Sequence, residues 1–195
     1  MLAVRGILVI SVMLFVIQPV SGQTSYPMLM AVKPAAVQAG TSSEHEVESR
    51  YSMFGAYRVL VTGEGVTGEV VTAMELDKEG KEPNLTKITV RFTAAADALP
   101  GVRDFRLVGP TGASTLGQIV VVSDPVVKEE GAIDTAETAQ AITLPATVCG
   151  TIEKAKDLDY FSFTLAAPTA LTLHCRAMRL QDKLHDLQQH VDPIL

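Results

Sequence analysis

The chain predicts an all-β protein, on three observations. Its apolar positions are dominated by Val, Thr, Ala and Leu, in a chain that is 47% hydrophobic and only 5% aromatic, a choice that favours pleated strands over long helices. Short segments alternate apolar with polar residues at period two. Glycine- and proline-containing turn signals separate those segments at short intervals. At 195 residues, one or two domains fit the length, and either can bury a core.

The N-terminus differs from the rest. Arg5 and the α-amine supply positive charge, an apolar and small-residue run follows from Gly6 to Ile17, and Gln18-Pro19 breaks it. Val20-Ser21-Gly22 offers the small side chains that signal peptidase requires. This order predicts a cleavable signal over residues 1–22, with Gln23 first in the mature protein. The apolar run is short of the ~20 residues a membrane-spanning helix needs. The expected location is therefore exported, periplasmic or extracellular, with no membrane association after cleavage.

Residues 23–123 are predicted to be one β-sandwich domain. Tyr57 to Thr62, Lys87 to Thr93, Phe105 to Val108 and Gln118 to Val122 have strand character. Turn signals lie between them at Gly63, Gly65 and Gly68, at Lys78-Glu79-Gly80, at Pro100-Gly101 and at Gly109-Pro110-Thr111-Gly112. Strands at this spacing over about 100 residues predict an immunoglobulin-like sandwich. Residues 124–140 then carry Asp124, Glu129, Glu130, Asp134 and Glu137 against Lys128 alone, the composition of an acidic, solvated linker. Strand patterns resume in residues 141–195, at Thr147 to Ile152, Asp159 to Leu165 and Leu171 to Ala177. Alternation sets Phe161, Phe163 and Leu165, and then Leu171, Leu173 and Cys175, on inward faces.

The run from Leu144 to Leu180 resembles the opening half of the bacterial pre-peptidase C-terminal domain family. The residues that carry the resemblance are Gly150 and Ile152, then Asp157, Asp159, Tyr160, Phe161 and Phe163, then Leu171 to Ala177. Cys149 departs from the pattern, standing where members usually carry Asn or a similar polar residue. Residues 23–123 resemble, less specifically, immunoglobulin-like modules that precede such domains in large exported bacterial proteins. The resemblances imply β-sandwich folds and an accessory role, and bring no catalytic residues. The expected architecture is thus an immunoglobulin-like sandwich followed by an incomplete second, jelly-roll-like sandwich, because three strands are about half of what a ~100-residue sandwich contains.

Gly63-Glu64-Gly65-Val66-Thr67-Gly68 is a literal G-x-G-x-x-G after a strand. Glu64 puts negative charge where a pyrophosphate would sit, and strand formers follow in place of a helix, so a hairpin turn is expected and no cofactor. Ser114 lies one residue away from nucleophile-elbow spacing, and His45, the sole histidine of residues 23–123, sits in a run that reads as polar surface. No catalytic residue is assigned. Asp157 and Asp159 are calcium candidates that fall short of the six to eight oxygens the ion takes, so turn carboxylates are the expected role. His185 and His190, five residues apart, would sit ~140° apart on a helix and do not face one metal. Cys149 and Cys175 permit one disulfide in an oxidising compartment, although alternation turns Cys149 outward and Cys175 inward.

The formal charge is −6 and no basic run tracks a phosphate backbone, which excludes nucleic acid as an expected partner. What remains is a non-catalytic exported binding or spacer module with a protein, cell-surface or polysaccharide ligand, belonging to a larger protein. Two alternatives stay open: the accessory region of a secreted peptidase, and a stand-alone carbohydrate- or surface-binding protein. The second would need exposed aromatics, and the chain has no Trp and four Tyr.

Overall fold

The computed structural model describes residues 26–152, Lys154 and residues 157–176. Among them the regular structure is β, apart from one 3-10 turn at Ala136–Thr138. The signal segment, the second half of the sequence's terminal pattern and His185 and His190 lie outside the described residues.

Nine strands lie between Leu29 and Val122: β1 (Leu29–Lys33), β2 (Ala36–Gln38), β3 (Ser42–Ser49), β4 (Arg58–Val61), β5 (Val66–Val70), β6 (Lys87–Ala94), β7 (Gly101–Gly109), β8 (Gly112–Ala113) and β9 (Gly117–Val122). One sheet has the order β1-β3-β6-β5, all antiparallel. The other runs β2-β9-β7-β4, with β8 folded back on β7 and β2 parallel to β9. This is an immunoglobulin-like arrangement: four strands face the row β2-β9-β7-β4, and the first strand divides between the sheets as β1 and β2. Pro34 and Ala35 carry the chain across, leaving β1 paired to β3 and starting β2 beside β9. A sandwich of this kind needs both inner faces apolar, and period-two alternation delivers that. On β6, Ile88, Val90, Phe92 and Ala94 point inward; on β7, Phe105 and Leu107; on β9, Ile119 and Val121. Phe92 and Phe105 meet across the sheets in a T-shaped contact, centroids 5.0 Å apart, the geometry that suits the ring quadrupoles.

The four strand segments read from alternation correspond to β4, β6, β7 and β9. The structure adds β3, whose sequence Ser-Ser-Glu-His-Glu-Val-Glu-Ser reads as polar surface. Its outward positions are Glu44, Glu46 and Glu48, while His45, Val47 and Ser49 are buried. A buried histidine in an alternating register counts as an apolar position, which is why composition hides this strand.

Beyond Val122 the chain forms two short parallel pairs: β10 (Val126–Lys128) with β12 (Thr147–Cys149), and β11 (Gln140–Ala141) with β13 (Phe161–Ser162). The stretch read as a solvated linker therefore supplies β10, the 3-10 turn and the first residue of β11, and Ile133 within it is buried. Tyr160 N donates to Ile133 O at 2.9 Å and Gln140 N to Tyr160 O at 2.9 Å, tying the acidic stretch to the Asp159-Tyr160 segment. Of the side chains expected to face inward, Phe161 is half-buried and the others are not covered. Phe163, Leu165, Leu171 and Leu173 are exposed, and Cys175 is exposed as well, because no described strand lies over them.

Candidate functional site

Each cluster singled out by the sequence has a structural assignment. The glycine run Gly63 to Gly68 turns β4 into β5. Gly63 and Gly65 have φ of 78° and 79°, values an L side chain rarely adopts. Gly68 is needed for a different reason: a Cβ there would lie 2.7 Å from Val59 Cγ1 and 3.1 Å from Phe92 Cε1. The third glycine lets two sheets approach, and no helix N-terminus follows it to receive a phosphate.

Ser114 is buried at the base of the β7–β8 hairpin. Its Oγ accepts from Leu107 N at 2.9 Å and donates to Thr115 O at 2.7 Å. Both of its bonds go to backbone, so the hydroxyl is a structural pin. A nucleophilic serine needs a base in hydrogen-bond reach, and His45 is engaged elsewhere.

His45 is fully buried on β3. A carbonyl can only accept, so Nδ1–H donates to Pro34 O at 2.7 Å; that leaves Nε2 to accept from Ser43 Oγ at 2.8 Å. The ring also meets Phe92 edge-on at 5.3 Å. This is a neutral imidazole with both nitrogens satisfied, holding the crossover between β1 and β2. Burial lowers its pKa below the usual value, against the raising effect of the Pro34 carbonyl, and the charge of Lys128 on β10 lowers it further.

Asp159 and Glu129 converge over Gly150. From the position a Cβ on Gly150 would occupy, Glu129 Oε2 lies 3.0 Å and Asp159 Oδ2 3.9 Å away. Glu129 Oε2 also accepts from Thr151 N at 2.8 Å. Partial burial raises the Asp159 pKa to about 6, helped by the neighbouring charges of Glu129, Asp157 and Asp134 and by the bond to Glu129. Asp157 lies 3.8 Å from Lys154. Among the described residues no group of three or more His, Cys, Asp or Glu is arranged to hold a metal ion. Asp159 lies beside Glu129, and Asp157 beside Lys154.

Cys149 and Cys175 both carry free thiols. Cys149, half-buried on β12, has its pKa raised by burial; the backbone N–H groups of Ala35 and Ala36 oppose that rise. Its sulfur therefore packs against the start of β2, whereas Cys175 is exposed. The two cysteines occupy different environments and are not bonded to each other in the structure.

The outer faces of the two sheets are unlike each other. On the β1-β3-β6-β5 sheet the outward side chains form a ladder of ion pairs: Lys33 with Glu48, Lys87 with Glu46 and Glu48, and Arg91 with Glu44 and Glu69. The outward side chains of the β9-β7-β4 face are Leu60, Val102, Val108 and Val120, with Arg58, Arg106 and Asp104 among them. Arg106 donates to a backbone carbonyl, Ser114 O, at 2.6 Å, and Asp104 accepts from Gln118 Nε2 at 3.0 Å. Neither Arg58 nor Arg106 makes an ion pair among the described residues. Sequence reading missed this face. The alternate residues of Arg58 to Val61 and Val102 to Val108 carry it, but only the strand pairing brings them together.

No protein-family model and no curated protein matches the chain. Among solved structures, it is similar to a chain in a type I cohesin–dockerin complex from Clostridium thermocellum. That match has 10% identity and a TM-score of 0.28, and covers 50% of this chain and 100% of that one. Among the described residues no helix is long and apolar enough to cross a membrane.

Proposed function

We propose that this protein is a non-catalytic binding or spacer module that is exported from the cell. The observation that carries this reading is the engagement of Ser114 and His45. The hydroxyl and imidazole that a hydrolytic site would use sit on separate elements, and each is consumed by bonds that hold the fold. Export rests on the Arg5, apolar-run and Val20-Ser21-Gly22 order. The assignment of residues 141 onward to the pre-peptidase C-terminal type rests on the Gly150 to Phe163 pattern and implies an accessory role within a larger protein. Protein or cell-surface ligands fit a sandwich with a ladder of ion pairs on one outer face and mixed apolar and charged side chains on the other.

Expression of the whole chain in a bacterial host, followed by fractionation and N-terminal sequencing, tests export. A product beginning at Gln23 outside the cytoplasm is expected, and a cytoplasmic product beginning at Met1 would overturn that part. Peptide, ester and glycoside substrates tested with the purified protein should show no turnover. Hydrolysis lost on Ser114→Ala, in a protein that still folds, would overturn the non-catalytic reading.

A further inference from the structure

From Ser162 to Arg176 every residue is exposed. Among the described residues the stretch 164–176 makes one hydrogen bond, from Thr169 Oγ1 to Ala167 O at 3.0 Å, and that bond is internal to it. No hydrogen bond therefore ties this stretch to the sandwich, although it carries Leu165, Leu171 and Leu173. Cys175 stands near its end, exposed, while Cys149 is half-buried on β12; both thiols are free, and the chain has no other cysteine. Leu171, Leu173 and Cys175 alternate, so an extended backbone sets all three on one side.

We propose that Cys149 and Cys175 join as a disulfide when the chain meets an oxidising compartment, and that the bond closes the apolar stretch onto β12. Its setting in the cell rests on the export reading. Closure breaks no hydrogen bond between the moving stretch and the sandwich, so on that side it opposes only chain entropy. On the other side the Cys149 sulfur gives up the N–H groups of Ala35 and Ala36, and sulfur is a weak acceptor. Residues 150–174 link the two cysteines, a length that reaches far beyond the ~6 Å Cα spacing of a disulfide. The linkage also gives each thiol an effective concentration of roughly 1 mM towards the other, about a thousandfold over a second molecule at ~1 µM. With Cys175 pinned to β12, Leu171 and Leu173 are drawn against that strand and gain cover. In the reaction, the exposed Cys175 thiolate attacks a small-molecule or protein disulfide, forming a mixed disulfide and releasing one thiol. Cys149, its proton lost to solvent, then attacks the Cys175 sulfur and expels the second thiol, which takes up a proton. One disulfide is reduced to two thiols as the two cysteines are oxidised to one disulfide.

The test is to incubate the reduced full chain at ~1 µM with glutathione disulfide, denature it, alkylate it and map its peptides by mass. The expected product is a monomer two hydrogens lighter than the reduced chain, with neither cysteine alkylated and the peptides of Cys149 and Cys175 joined. Binding of an apolar dye should fall on oxidation, return with dithiothreitol, and stay unchanged in Cys175→Ser. Glutathione retained on Cys175 beside an alkylated Cys149 would overturn the proposal, as would a dimer linked through Cys175 that persists in Cys149→Ser. An internal bond with no change in dye binding would overturn the closure of the apolar stretch. The same mapping on protein recovered from outside the cytoplasm should show the bond, and two free thiols there would overturn its place in the cell. A chain that closes in glutathione disulfide but is recovered only from the cytoplasm, reduced, would count against export and not against the bond.

Discussion

His45 offers a quantitative test of the core. The side chain is fully buried, donates to Pro34 O and accepts from Ser43 Oγ, and abuts Phe92. Protonation would place a cation in that space with Lys128 already adding like charge. The pKa of the folded chain is lowered from 6.5, so between that folded value and pH ~6.5 the unfolded chain binds a proton that the folded chain refuses. Stability is then complete above pH ~6.5 and falls as pH drops below it, by about 1.4 kcal/mol per pH unit. The loss continues down to the folded pKa, and even one pH unit of it is a sizeable part of the ~5–15 kcal/mol typical of a domain. In His45→Asn the amide nitrogen takes the place of Nδ1 and can still donate to Pro34 O, but nothing titrates. The variant should be less stable at pH 7.5 by roughly 1–3 kcal/mol, because the ring volume is lost beside Phe92. Its stability should, however, decline less on acidification. Urea unfolding followed by circular dichroism, the chain having no Trp, measures both proteins from pH 7.5 to pH 5. Taking the difference between them cancels titrations elsewhere. Parallel profiles would refute the assignment of a neutral, buried imidazole.

Three further predictions follow from single contacts. Gly68→Ala places a methyl against Val59 and Phe92 and should cost about 1–3 kcal/mol in urea unfolding; a neutral effect would mean the sheets separate easily at this point. Ser114→Ala orphans Leu107 N and should cost about 1–3 kcal/mol, with faster hydrogen exchange at that amide as the site-specific readout. Asp159 ionises near pH 6 in the folded chain against an ordinary 3.8, so the folded state binds more protons between those values and stability falls as pH rises through them. Asp159→Asn should remove that fall, and an unchanged pH profile in thermal unfolding would count against the convergence with Glu129.

The sequence alone determined the class of the protein. Strand-forming composition, period two at Lys87 to Thr93, and the turns at Gly63 to Gly68 are local properties, and local properties suffice to define strands and hairpins. The same reasoning identified the glycine run as a turn, because Glu64 and the following strand formers are chemistry that is visible residue by residue. The tertiary structure decided what depends on residues far apart in the chain. Only pairing of β3 with β1 and β6 reveals that His45 faces the core while Glu44 and Glu46, on either side, face ion-pair partners from other strands. The need for Gly68 arises from Val59 and Phe92, nine and twenty-four residues away. The acidic stretch 124–140 looks solvated because its own residues bury little, yet Ile133 and Glu129 are positioned by Tyr160, Asp159 and Gly150. Likewise, the inward faces expected at Phe163 and Leu171 required a covering sheet, which alternation can imply but cannot supply. Periodicity specifies which side of a strand a residue occupies; whether that side is covered is set by long-range packing, which a single strand does not encode.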